Sequence, residues 1–185
     1  MLKTITLSCA SLFCVFSSAQ QIEITGSRKT VRTAGNVISV ALPAACAATT
    51  IALKDWDGMK QGAIAGASSV ALTYVLKEFI DKDRPDHSDN RSFPSRHSAI
   101  SFTSAAFIQK RYGWKWGTPA YAAASFAGWS RVYGKKHDWW DVMAGTSIGV
   151  TSAYIFTKPF AQKHNLSITP SASPEYFGFY ASMNF

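Results

Sequence analysis

Cysteine is almost missing from this chain once its leader is set aside. Of three cysteines, Cys9 and Cys14 fall in the leader and Cys46 stands alone in the rest. A single thiol has no internal partner, so a disulfide framework is excluded. Its setting, "LPAACAATT", is apolar and predicts a buried, inert thiol. Charge is scarce too: 16% of residues are Asp, Glu, Lys or Arg, against 47% hydrophobic. Acids are the scarcer sign, 11 against 19 bases, which leaves a net charge of +8. Such a balance calls for an anionic partner: a phosphate group, a membrane surface or nucleic acid. No basic stripe interleaved with aromatics appears outside the motifs described below, so no nucleic-acid partner is expected.

Other absences bound the fold. There is no internal repeat and no low-complexity tract, and no period-two alternation before residue 165. Long uninterrupted apolar runs are missing as well. Those present reach about 14 to 18 residues, short of or just reaching the roughly 20 that span a bilayer. What remains is one domain's length of Ala-, Gly- and Ser-rich segments with few charges, which suits closely packed helices. The expected fold is all-α, a bundle of about five to six helices with a short extended C-terminal tail.

The chain divides into three parts. Residues 1–19 read as a signal peptide: Lys3, an apolar run from Ile5 to Phe16, then Ser17-Ser18-Ala19 before a cleavage at Gln20. Residues 20–165 form the domain. Within it, 20–35 are basic and read as a leader or surface helix. Apolar or periodic runs then suggest helices over 36–53, 63–80, 95–110, 119–131 and 137–157. Residues 166–185 form the tail, in which Phe177, Phe179, Ala181, Met183 and Phe185 alternate as in a half-buried strand.

The chemistry concentrates in three segments. In "HDWWD", His137 and Asp141 stand four apart, one helical turn, so their side chains can meet. A carboxylate on one imidazole nitrogen fixes the tautomer and prepares the other as a nucleophile or base. Lys77 and Arg84 are seven apart, near one helical face, and Arg131 precedes His137 by six. Convergence of these cations on His137 would make a pocket that repels a metal ion and favours a phosphoryl group. In "FPSRHSAISF", Pro94 and Ser95 are good residues for a helix start, where free N–H groups and the helix dipole bind anions. Ser95 adds a hydroxyl, and His97 in the first turn is placed to protonate a leaving oxygen. Taken singly, each residue has a plainer reading as a surface charge, a capping pair or a helix-start histidine.

Together the segments resemble the type-2 phosphatidic acid phosphatases, relatives of bacterial class A acid phosphatases and vanadium haloperoxidases. The family pattern K-x6-R-P is "KEFIDKDRP", Lys77 to Pro85. The pattern P-S-G-H is "PSRH", Pro94 to His97. The pattern S-R-x5-H-x3-D is "SRVYGKKHDWWD", Ser130 to Asp141. One position departs, with Arg96 where the family has glycine. The resemblance implies a helical bundle and a phosphatase that needs neither metal nor cofactor. It implies that His137 attacks phosphorus to form a phosphohistidine, that Asp141 orients it, and that His97 serves as acid and then base. It also implies that Lys77, Arg84 and Arg131 hold the phosphoryl oxygens, with Ser95 and the backbone around Arg96 helping.

The expected activity is therefore an exported phosphatase for a phosphate monoester or pyrophosphate, with a phosphorylated lipid as substrate. Alternatives are a soluble broad-specificity periplasmic acid phosphatase and a vanadate-dependent haloperoxidase, the latter disfavoured by the short chain. A catalytically dead binding module is disfavoured because every proposed catalytic side chain is present. "YGWKWG" and Trp139-Trp140 resemble interfacial anchors, so membrane association with the site on the exported or periplasmic face is expected. Arg96 is expected to keep ordinary backbone angles and to point outward, toward Asp86 or Asp89, or to the mouth of the pocket.

Overall fold

The computed structural model describes residues 26–160, together with the backbone of 166–173 and 176–183. The expected signal peptide and its cleavage point lie outside the described residues. Five helices follow in order: α1 (Ser27–Ala52), α2 (Trp56–Phe79), α3 (Arg96–Tyr112), α4 (Trp114–Tyr133) and α5 (Trp139–Phe156). The expected all-α bundle is observed. The tail adds a hairpin in which β1 (Leu166–Ser173) pairs antiparallel with β2 (Tyr176–Met183), Leu166 opposite Met183.

Several helices begin earlier than the sequence pattern suggests. The basic stretch from Ser27 to Gly35 is the start of α1, not a separate leader. Helix α2 begins at Trp56, within the charged segment, because Asp55 caps it by accepting from Gly58 N at 3.0 Å. Helix α4 begins at Trp114 and carries Pro119 inside it. Only Gly113 separates α3 from α4, and its φ of +90° is a conformation glycine adopts without strain.

Helix α3 is the axis of the bundle and packs against the other four. Each connection reverses the chain, so the starts of α1, α3 and α5 meet the ends of α2 and α4 at one pole. At the other pole Asp55 and Arg111, both buried, form a two-point ion pair with N–O distances of 2.5 and 2.7 Å. Arg111 Nη1 also donates to Lys158 O at 2.7 Å, tying the end of the bundle together.

Small residues fill the interior. Ala65, Ala99, Ala105, Ala106, Ala124, Ala127 and Ala153 are buried, with Phe107, Leu42 and Val142 the larger apolar side chains beside them. Large apolar side chains face outward instead: Val40 is 71% exposed, Trp140 71% and Phe79 82%. Such a distribution lets helix backbones approach closely and leaves the apolar bulk on the outer face of the bundle. Helix α1 is long and apolar enough to cross a membrane, by length and composition. Cys46 of α1 is half-buried, its thiol set 3.5 Å from Ser104 O.

Candidate functional site

The site lies at the pole where α3 and α5 start. His137 and Asp141 meet there, but not as two residues of one helix. Asp138 is the N-cap of α5, so His137 precedes the helix and Asp141 is its third residue. Asp138 and Asp141 form a reciprocal capping box: Asp141 N donates to Asp138 Oδ1 and Asp138 N to Asp141 Oδ2, both at 3.0 Å. Asp141 thus reaches backward, and its Oδ2 stands 3.5 Å from His137 Nδ1. Both side chains are buried. Since Nδ1 faces the carboxylate, Nε2 is the nitrogen left for an electrophile.

Two further residues, which the sequence reading passed over, hold this pair. Ser92 Oγ donates to Asp141 Oδ2 and lies 3.4 Å from His137 Nδ1. Lys82 Nζ bonds Asp138 Oδ2 at 2.5 Å and Asp141 Oδ1 at 2.8 Å. Burial would push the Asp141 carboxyl up, yet bonds from His137, Lys82 and Ser92 hold it well below the usual carboxylate range. Asp138 was recoverable from its D-x-x-D spacing at a helix start. Lys82 and Ser92 carry no such local signal.

The three predicted cations reach the same pole, and each already has protein partners. Lys77 Nζ donates to Arg91 O at 2.7 Å and Ser92 O at 3.3 Å. Burial, and then the Arg84 charge, bring Lys77 down to about 8. Arg84 Nε pairs with Asp89 Oδ1 at 2.6 Å. Arg131, buried, donates to Asn36 Oδ1 at 2.7 Å and Arg32 O at 2.6 Å, anchoring the start of α1. Burial and the neighbouring Arg32 and Arg84 charges lower Arg131 to about 10. Gly35 makes that contact possible, since a Cβ there would stand 1.8 Å from Ser130 Oγ.

At the start of α3, Ser95 is the N-cap and is fully buried. Its Oγ accepts from Ser98 N at 3.4 Å and Ser98 Oγ at 3.0 Å, so the hydroxyl is engaged in capping. Ser95 N donates to Asp141 O at 2.9 Å, which ties α3 to α5. Arg96 is the first residue of α3 and keeps ordinary backbone angles, as expected. Its guanidinium donates to Tyr74 OH and lies 5.7 Å from the centre of that ring. The expected carboxylate partners are taken elsewhere: Asp86 by Lys136 at 2.7 Å, Asp89 by Arg84. His97 has no hydrogen-bond partner among the described residues. Burial, then the charges of Arg131, Arg96, His137 and Arg84, bring it down to about 3. His137 also lies below its ordinary value, chiefly through burial, with Arg84 and Lys77 opposing Asp141.

The pole therefore gathers a neutral imidazole backed by a carboxylate, a second neutral imidazole, and cations whose fields act on both. Among the described residues no group of three or more His, Cys, Asp or Glu is placed to hold a metal ion. The model of the PAP2 superfamily matches residues 61–164, more than half of the chain. The chain belongs to the PAP2 superfamily. Among PAP2 relatives, it is 29% identical over 148 residues to the lipid A 4'-phosphatase of Helicobacter pylori strain J99, covering 74% of each chain. It is 27% identical over 135 residues to a lipid A 1-phosphatase of Helicobacter pylori strain 26695, covering 66% of this chain and 65% of that one. Its fold is similar to the crystal structure of a transmembrane PAP2 type phosphatidylglycerolphosphate phosphatase from Bacillus subtilis. There the TM-score is 0.56 at 25% identity, over 75% of this chain and 78% of that one.

Proposed function

We propose that this PAP2 chain hydrolyses a phosphate monoester of a membrane lipid through a phosphohistidine on His137. The observation that carries the reading is the buried His137–Asp141 pair, with Nδ1 held at 3.5 Å, in a pole where Lys77, Arg84 and Arg131 converge. His137 Nε2 attacks phosphorus as the bond from phosphorus to the lipid oxygen breaks. His97, protonated once the phosphate dianion offsets the surrounding cations, gives its proton to that oxygen, then takes one from the water that cleaves the phosphorus–nitrogen bond. Lys77, Arg84 and Arg131 stabilise the equatorial oxygens, and their preorganised donors need no rearrangement during the reaction. Inorganic phosphate leaves, and His137 is regenerated.

A lipid substrate is supported by the outward-facing apolar side chains, by the length of α1, and by the names of the PAP2 relatives. Lipid A and phosphatidylglycerolphosphate lead the substrate classes, ahead of phosphatidic acid and undecaprenyl pyrophosphate. The apolar leader at Ile5 to Phe16 supports a site on the exported or periplasmic face.

Phosphate release from mixed vesicles carrying each of these lipids, with a small aryl phosphate as control, tests the proposal. Release from at least one lipid is expected to exceed the small ester in kcat/KM, to persist in EDTA and to be inhibited by vanadate. Hydrolysis of the small ester alone would move the chain to the soluble acid phosphatase reading. Activity lost in EDTA and restored by metal would contradict the cation cage.

A further inference from the structure

The buried carboxylate of Asp141 poses an electrostatic problem that the catalytic pair does not solve. A fully buried charge is costly unless it is paired and hydrogen-bonded. Of its partners, Ser92 Oγ, the Asp138 N–H and the neutral His137 supply dipoles. Lys82, at 2.8 Å, is the one full positive charge hydrogen-bonded to it among the described residues. Lys77 and Arg84 stand farther off and act through space on Asp141 and His137. Asp138, the other acid on this face, shares Lys82 at 2.5 Å.

Lys82 is also pinned along its backbone. Its N–H donates to Asn90 O and its carbonyl accepts from Ser92 N, both at 2.9 Å. The loop between α2 and α3, which carries Arg84 and leads through Ser92 to Ser95, is thus closed on itself at Lys82. The same residue's ammonium grips the start of α5. One side chain therefore joins the loop that carries Arg84 to the helix start that bears Asp141, the partner of His137.

We propose that Lys82 is a positioning residue of this reaction, fixing the loop of residues 82–92 against the His137–Asp141 pair and supplying the counter-charge of Asp141. This rests on the phosphatase reading above. Lys82 touches neither phosphorus nor the leaving group, so its effect passes through Asp141 to His137. Removing its charge leaves the Asp141 anion to favour the His137 imidazolium, so the imidazole holds its proton to higher pH. The nucleophile is then protonated over more of the acid range.

The test compares Lys82→Met and Lys82→Arg with the full chain. Two quantities are read: kcat and KM on a small aryl phosphate across pH, and the His137 imidazole titration by NMR of histidine-labelled protein. For Lys82→Met, kcat is expected to fall roughly tenfold or more, with KM within about threefold. Both the acid limb of kcat and the His137 titration are expected to move to higher pH, and Lys82→Arg is expected to restore all of these. Should Lys82→Met fail to fold, Lys82→Gln keeps hydrogen bonds to the carboxylates without the charge, and the same upward shifts are expected. An unmoved His137 titration in a folded, uncharged variant overturns the proposal, as does a loss that Lys82→Arg does not rescue. The titration needs no substrate. A wild type without phosphatase activity would sink the functional reading while leaving the Lys82–His137 coupling measurable.

Discussion

Gly145 of α5 rests on the backbone carbonyl of Ser95: a Cβ built at Gly145 would lie 2.4 Å from that oxygen. Four residues on, Gly149 meets the carbonyl of Ala99 in the same way, also at 2.4 Å. Because Asp141 stands one turn before Gly145, this contact sets the spacing between α3, which bears His97, and α5, which bears the Asp141 partner of His137. A methyl at Gly145 meets backbone, which cannot rotate away. Gly145→Ala is therefore expected to lower stability by about 1–3 kcal/mol and turnover by more than tenfold. Gly66→Ala is the control, since a Cβ there meets nothing within 4 Å. Denaturant unfolding and kcat on a small ester check both, and equal behaviour of the two variants would refute the packing argument.

Anion binding is expected to draw a proton onto the protein. In the free site burial, and then the surrounding charges, hold His97 at about 3, so it is neutral at pH 5 to 7. A dianion among Lys77, Arg84 and Arg131 offsets those charges and raises the imidazole, as a general acid requires. Calorimetric titration with sulfate at pH 6, in two buffers of different ionisation enthalpy, reads the uptake. His97→Gln is expected to reduce it. Binding without uptake, or uptake undiminished in His97→Gln, would remove His97 from the acid role.

Arg96 lies over the Tyr74 ring and bonds its hydroxyl, so its guanidinium is held against α2. Arg96→Gly is expected to keep turnover of a small phosphate ester within about tenfold, a barrier change under about 1.4 kcal/mol. Collapse of turnover on small and lipid substrates alike would place Arg96 inside the phosphate cage.

The parts of the site that were legible in the sequence are those whose meaning is carried by local spacing. Lys77 to Arg84, Pro94 to His97 and Arg131 to Asp141 each sit within about a dozen residues, and the fold delivers all three to one pole. Helix content was equally legible, because small apolar residues dominate from 36 to 157. Less visible was what depends on distant partners. Lys82 and Asp141 are 59 residues apart, and Arg131 and Arg32 are 99 apart. No periodicity announces such pairs. The start of α2 was misplaced for a related reason: Asp55 is fixed as its cap by Arg111, 56 residues away. The alternation from Phe177 onward indicated a strand, but its partner at Leu166–Ser173 is too polar and irregular to be read alone.

Trapping the intermediate decides whether His137 is the nucleophile. Full-length protein is mixed with ³²P-labelled lipid substrate, quenched rapidly at alkaline pH and digested, and the labelled peptide is located by mass spectrometry. An acid-labile phosphate on His137 is expected, absent in His137→Ala; in His97→Ala it is expected to form more slowly and, once formed, to decay more slowly. An acid-stable phosphoenzyme, or an acid-labile one that still forms in His137→Ala, would contradict that assignment.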